Sequence, residues 1–229
     1  MALYAIGDLH LSLGADKPMD VFGGPWENYV EKIRLGFSAL HDDDVCVLCG
    51  DLAWGMTMEQ ALPDFRFIEA LPGKKILLKG NHDFWWSTAK KAYDFFEAHD
   101  MHTMDILNNN CYFYDDYAIC GTRGWFYEEA KGEAHDRKIM LREVGRLEAS
   151  LKAAGDKTKL VFLHYPPKYL GYECPEILQL LDAYHVPLCC YGHIHSRGCR
   201  SAFQGMYHDT EFRLLSADYI SFCPRRILP

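Results

Sequence analysis

No run of apolar residues in this chain is long enough to cross a bilayer, and its start, MALYAIGDLH, has neither the basic residues nor the cleavage pattern of a secretory leader. These absences point to a cytoplasmic protein with no membrane contact. Positive charge is also scarce. Lys and Arg number 24 against 32 Asp and Glu, a formal charge of −8, so no broad basic surface is on offer for a nucleic-acid backbone. A small-molecule partner suits that balance better.

A disulfide framework is missing too. The nine cysteines are odd in number, scattered from Cys46 to Cys223, and several fall inside apolar runs that read as buried strands. Cys46 and Cys49 have the spacing of a redox pair or half a zinc site, but they lie in VCVLCG, where alternation favours strand packing by reduced thiols. No repeat, low-complexity tract or convincing linker divides the chain. With 229 residues, 49% of them apolar, residues 1–229 are expected to form one domain around a large core.

What the sequence does have is rhythm. The short apolar runs LYAIG, VCVLCG, KILLKG, YAICG, KLVFLH and VPLCCYG alternate with segments of helical period, the pattern of βα units. Trp26, Tyr29, Val30, Ile33, Phe37 and Leu40 would line one face of a first helix. Thr57 with Gln60 predicts a capping box for a second, Ser87 a cap for a third, and residues 135–154 a fourth that stops at Gly155. Past Gly192, short alternating stretches predict antiparallel strands.

Polar residues follow the apolar runs at once: Asp8 and His10, then Asp51, then Asn81, His82 and Asp83, then His164, then His193 and His195. In open α/β sheets the residues just beyond the carboxyl ends of strands share one rim, so distant positions can converge there. Singly, each reads as a turn cap or a hydrogen-bonded structural histidine. Together they supply the imidazole and carboxylate groups that divalent transition metals prefer, with no cysteine among them.

In this order, GDLH, GD, GNHD, a lone His and GHIH resemble the calcineurin-like metallophosphoesterase superfamily from Gly7 to His195, and within it small bacterial predicted phosphohydrolases. The resemblance implies a four-layer αββα sandwich, two mixed sheets packed face to face and flanked by helices. It also implies two divalent transition-metal ions, for which the ligand types suit Mn, Fe or Zn. Asp8, His10 and His195 would hold one, Asn81, His164 and His193 the other, and Asp51 would bridge them. A hydroxide between two cations would then attack a small phosphodiester or phosphomonoester.

His82 resembles the family histidine that contacts the phosphate and the leaving group. It is expected to act as general acid or transition-state stabiliser, with Asp83 orienting its ring. Arg123, in CGTRGW, is expected to grip a phosphate oxygen, and Trp85 to stack on a flat leaving group.

Two departures narrow the resemblance. GDLAWG and GNHD differ from the longer second motif and the Glu-ended third motif of phosphoprotein phosphatases, and Trp54 stands where purple acid phosphatases carry a metal-binding Tyr. The competing reading is a non-catalytic, metal-binding interaction scaffold of the same fold. Retention of every metal position and of His82 argues against it.

Overall fold

A computed structural model describes residues 1–126 and 133–229. Two large sheets dominate it. The first contains β1 (Leu3–Ile6), β2 (Val45–Cys49), β3 (Lys74–Leu78) and β4 (Met104–Leu107), all parallel. The second is built on β5 (Cys111–Tyr114), β6 (Tyr117–Thr122) and β7 (Thr158–Leu163). A small hairpin follows, β8 (Lys168–Tyr169) with β9 (Tyr172–Glu173). Then β10 (Leu188–Tyr191), β11 (Gly205–Tyr207) and β12 (Thr210–Leu214) complete the second sheet in the order β11-β12-β10-β7-β6-β5. The last strand, β13 (Arg225–Leu228), returns to the first sheet and pairs antiparallel with β1.

Side-chain alternation explains why the sheets stack. In β2, Cys46 and Leu48 point to one face and pack with α1 (Tyr29–Phe37) and α2 (Leu62–Glu69), while Val47 and Cys49 point to the other, between the sheets. In β10, Leu188 and Cys190 face the first sheet, and Cys189 and Tyr191 face the second helical layer. The helices α3 (Ala89–Ala98), α4 (Glu133–Ala153) and α5 (Pro175–Ala183) complete the outer layers, so the αββα sandwich expected from the motifs is present. Cys46 and Cys49 therefore lie on opposite faces of one strand and cannot act as a pair. All nine cysteines are free thiols.

The local signals, one excepted, are matched with small shifts. The first helix begins at Tyr29, after a 3-10 turn over Gly24–Trp26. Thr57 and Gln60 do not open the second helix: Thr57 Oγ1 accepts from Gln60 N at 3.2 Å and the Gln60 side chain from the amide of Met56 at 2.8 Å, closing a turn that precedes α2, which itself starts at Leu62 with no side-chain cap. Thr88, one residue beyond Ser87, caps α3 by accepting from Lys91 N. The C-terminal region contains the antiparallel pair β11 and β12, yet β12 also runs parallel to β10.

One buried acid makes the fold pH-sensitive. Asp64, in the first turn of α2, accepts from the amide of Leu13 at 2.7 Å, and its second oxygen is buried with no hydrogen-bond partner. Burial, opposed by the Leu13 and Gly14 amides, pushes its carboxyl up to about 6. The folded chain then binds this proton more tightly than the unfolded chain, whose Asp titrates near about 3.9. Stability from this group therefore rises as pH falls through about 6 towards about 4. Relative to Asp64→Asn, the wild type should gain roughly 2–4 °C in melting temperature on going from about pH 7 to about pH 5. Parallel melting curves for the two proteins would remove this assignment.

Candidate metal centre

The carboxyl ends of β1, β2, β3, β7 and β10 meet at one rim. Asp8, His10 and His195 bring ligand atoms to within 4.8 Å of one another, and Asp51, His164 and His193 do the same. Asp51 lies between the groups, its Oδ2 3.7 Å from His10 Nε2 and 3.5 Å from His164 Nε2. Asn81 joins the second group through Oδ1, 2.6 Å from His164 Nε2. All seven residues expected at the metal positions are thus brought together.

The chain takes on strain to achieve this. Asp8, His10, Asp51 and His193 have left-handed φ values of 62°, 46°, 52° and 70°, a conformation that costs an L-residue about 1–2 kcal/mol. Such costs persist where the surrounding structure enforces them, and they gather at functional sites. Here the enforcement is visible: Asp8 N donates to Gly50 O, His10 N to Asp51 O, and His193 N to both Asp8 oxygens at 2.9–3.0 Å. Glycine is required beside two ligands. A Cβ at Gly80 would stand 2.0 Å from Asp51 Oδ1, and one at Gly192 2.4 Å from Asp8 Oδ2.

The electrostatics favour a cation. Burial and the adjoining His195 hold His10 well below its ordinary range. Burial likewise pushes His164 down to about 3 despite the opposing charge of Asp8. Burial would raise the Asp8 carboxyl, but His195 and the other imidazoles outweigh it and keep Asp8 ionised. His195 is pushed up to about 10: burial works against its charge, while Asp8 and Asp218 stabilise it. His10 Nε2 and His195 Nε2 approach to 3.2 Å, so both ring nitrogens face the same point. Neutral His10 and His164 and ionised Asp8 offer lone pairs as they stand, while burial, Asp83 and Asp8 push the Asp51 carboxyl well up, so a cation binding here would displace protons from Asp51 and His195. Imidazole and carboxylate groups aimed at common points are a donor set that fits divalent metal.

Asp218 is a site residue that no sequence motif marks. It follows β12 in the segment SADY, accepts from His195 Nδ1 at 2.9 Å and from the Ser196 amide at 2.8 Å, and so fixes which ring nitrogen of His195 faces the metal position. Asp218→Asn should weaken metal retention about 10- to 100-fold while leaving the fold intact, read by metal titration of the dialysed protein. Unchanged affinity would reduce Asp218 to a loop tie.

The ligands His10, Asp51, His193 and His195 open onto a cavity of about 330 Å³ that His82 also lines, together with Met19, Phe22, Trp26 and Trp54. The His82 amide donates to Asp51 Oδ1 at 2.8 Å, and its ring packs against Trp54 at 4.5 Å between centroids. Asp83 has partners other than the expected one. Its buried oxygens accept from the amides of Asp51, Leu52, Ala53 and Gly80 and from the Trp85 indole, tying the loops after β2 and β3 to each other.

Trp85, expected to wall the cleft, is instead buried in the first core, edge-on to Phe65 at 4.7 Å. Its neighbour Asp83 draws its indole inwards. Trp54 takes the wall position, stacked on His10 at 5.1 Å. Arg123 also lies outside this cavity, in an adjacent one.

The profile of the calcineurin-like phosphoesterases matches residues 1–197. The chain belongs to that family. Among solved structures, this phosphoesterase is similar to a phosphopantetheinyl hydrolase, PptH, from Mycobacterium tuberculosis, at TM-score 0.58 and 16% identity, covering 100% of this chain and 96% of that one. It is similar also to TT1561 of Thermus thermophilus, at TM-score 0.55 and 14% identity over 99% and 97% of the two chains. At such identities the likeness is one of fold. No curated protein matches the chain. Membership, with two Asp/His groups able to hold metal, makes metal-dependent phosphoester hydrolysis the general chemistry of this phosphoesterase. Among the described residues no helix is long and apolar enough to cross a membrane.

Proposed function

We propose that this phosphoesterase uses a dinuclear centre to hydrolyse a small phosphoester whose leaving group is flat or apolar. The observation that carries this reading is the convergence of two ligand groups around Asp51 beneath a cavity that also contains His82. Asp8, His10 and His195 would hold one ion and Asn81, His164 and His193 the other. Two bound cations supply a water nucleophile of lowered pKa and neutralise phosphate charge.

The chain's own residues do the rest. His82 would donate a ring proton to the departing oxygen, steadied by its amide bond to Asp51 and by Trp54. Asp83 acts as a positioning residue, holding the loops that carry Asp51 and His82 rather than the His82 ring. Met19, Phe22, Trp26 and Trp54 offer apolar walls to the leaving group and exclude water around it.

The test is hydrolysis of bis-p-nitrophenyl phosphate beside p-nitrophenyl phosphate, by protein stripped with chelator and by the same protein reloaded with Mn. Metal-dependent cleavage of the diester alone would favour a phosphodiesterase, and preference for the monoester a phosphatase. Silence on both with metal bound would favour the non-catalytic scaffold.

A further inference from the structure

Beside the metal cleft lies a second, smaller cavity of about 150 Å³, formed where β3, β4 and β6 end against α4. Its described lining includes four cations, Lys79, Arg123, Arg142 and Arg146, and a single carboxylate, Glu143. Glu143 is buried and already committed. One oxygen takes Arg146 at 2.6 Å and Arg123 at 3.5 Å, and the other accepts from the Thr122 hydroxyl at 2.7 Å. Among the described residues one carboxylate does not neutralise the four cations held together, and Arg123 Nε is buried without a hydrogen-bond partner. A buried donor without an acceptor costs stability unless a ligand or water supplies one.

We infer that this cavity is an oxyanion site, separate from the metal centre, that takes a tetrahedral phosphate group. The chemistry matches: guanidinium groups present paired N–H donors to phosphate oxygens, and Lys adds a compact charge. The volume exceeds what a single water needs. The site adjoins the catalytic rim through the backbone. Lys79 leads directly into Gly80 and Asn81, and Arg123 O accepts from the amides of His164 and Tyr165 at 3.2 and 2.8 Å. The phosphate could be a second anionic group on the substrate or free inorganic phosphate, and both present the same group to the same donors.

Inorganic phosphate is titrated calorimetrically into metal-loaded wild type, Arg142→Glu, Arg142→Gln and His82→Ala. Arg142 is exposed on α4, so its variants should melt as the wild type does. The expected result is a phosphate-binding class weakened about tenfold or more by Arg142→Glu, less by Arg142→Gln, and unaffected by His82→Ala. If no class responds to either Arg142 variant, the site does not exist as inferred. Because the titration reads binding, its outcome is independent of whether any ester is hydrolysed. Hydrolysis of 1,5-naphthalenediol bisphosphate beside 1-naphthyl phosphate, both with the flat leaving group the metal cleft is proposed to take, then separates the sources. A KM raised by Arg142→Glu for the bisphosphate alone identifies a substrate-borne group, and unchanged KM values beside a weakened phosphate class identify free phosphate.

Discussion

The His82→Ala enzyme is expected to bind metal as the wild type does and to turn over about 10²- to 10³-fold more slowly. His82 is not a member of either ligand group, so its removal leaves their geometry in place, and its amide bond to Asp51 is made by the backbone and survives the substitution. What disappears is the imidazole that shares the cavity with Asp51 and Trp54. A proton donor matters most when the leaving oxygen is basic. The loss should therefore be larger for an alkyl phosphoester than for a p-nitrophenyl ester, whose departing oxygen needs little help. Metal content of the dialysed variant and kcat on both ester types check the prediction. Near-normal turnover on the alkyl ester would show that His82 does not serve the leaving group.

Asp51→Asn is the complementary case: metal and activity should be lost together. Asp51 Oδ2 lies within 3.7 Å of imidazole nitrogens from both groups, so a neutral amide there withdraws a negative charge from two cation positions at once. An Asn oxygen can still accept from the His82 amide, which keeps the loop in register and confines the damage to charge. Metal affinity should drop by more than about 100-fold, beyond the effect of an outer partner such as Asp218, with turnover falling at matched metal concentration. Two metals retained through dialysis, with turnover within about tenfold of wild type, would mean that Asp51 is not shared.

Much of this architecture is readable from residue order because each ligand sits immediately after a strand, where periodicity stops and chemistry starts. GDLH, GNHD and GHIH mark those ends directly. The misses have physical causes. β4 and β5 are edge strands, MDIL interrupted by Asp105 and CYFY only partly buried, so neither reads like the buried apolar runs of the central strands, and α5 starts from a Cys-Pro pair without a side-chain cap. Trp85 could be assigned to the cleft only by its nearness in sequence to His82, whereas burial of Asp83 turns its indole away. Asp218 lies in a segment with no helical or strand period, so its partnership with His195 is visible only once β10 and β12 are side by side. The cations of the second cavity are spread from Lys79 to Arg146, a separation that no pattern in the sequence bridges.

Each ligand group draws from both sheets. Asp8 and His10 follow β1 and are matched with His195 after β10, while Asp51 follows β2 and is matched with His164 and His193 from the second sheet. Ions held there would act as clasps at the rim, adding to the apolar contacts between the two layers and to the few hydrogen bonds that already cross there, such as Gly7 N to Leu215 O and His193 N to Asp8. Neither clasp can close in a chain whose halves have not docked, because Asp8 and His195 belong to different sheets and opposite ends of the sequence. Binding energy spent on the folded state alone raises its stability in proportion to the logarithm of free metal. Metal supply would thus set how long the layers stay closed as well as how fast the site works, and chelation should first loosen the seam between the sheets.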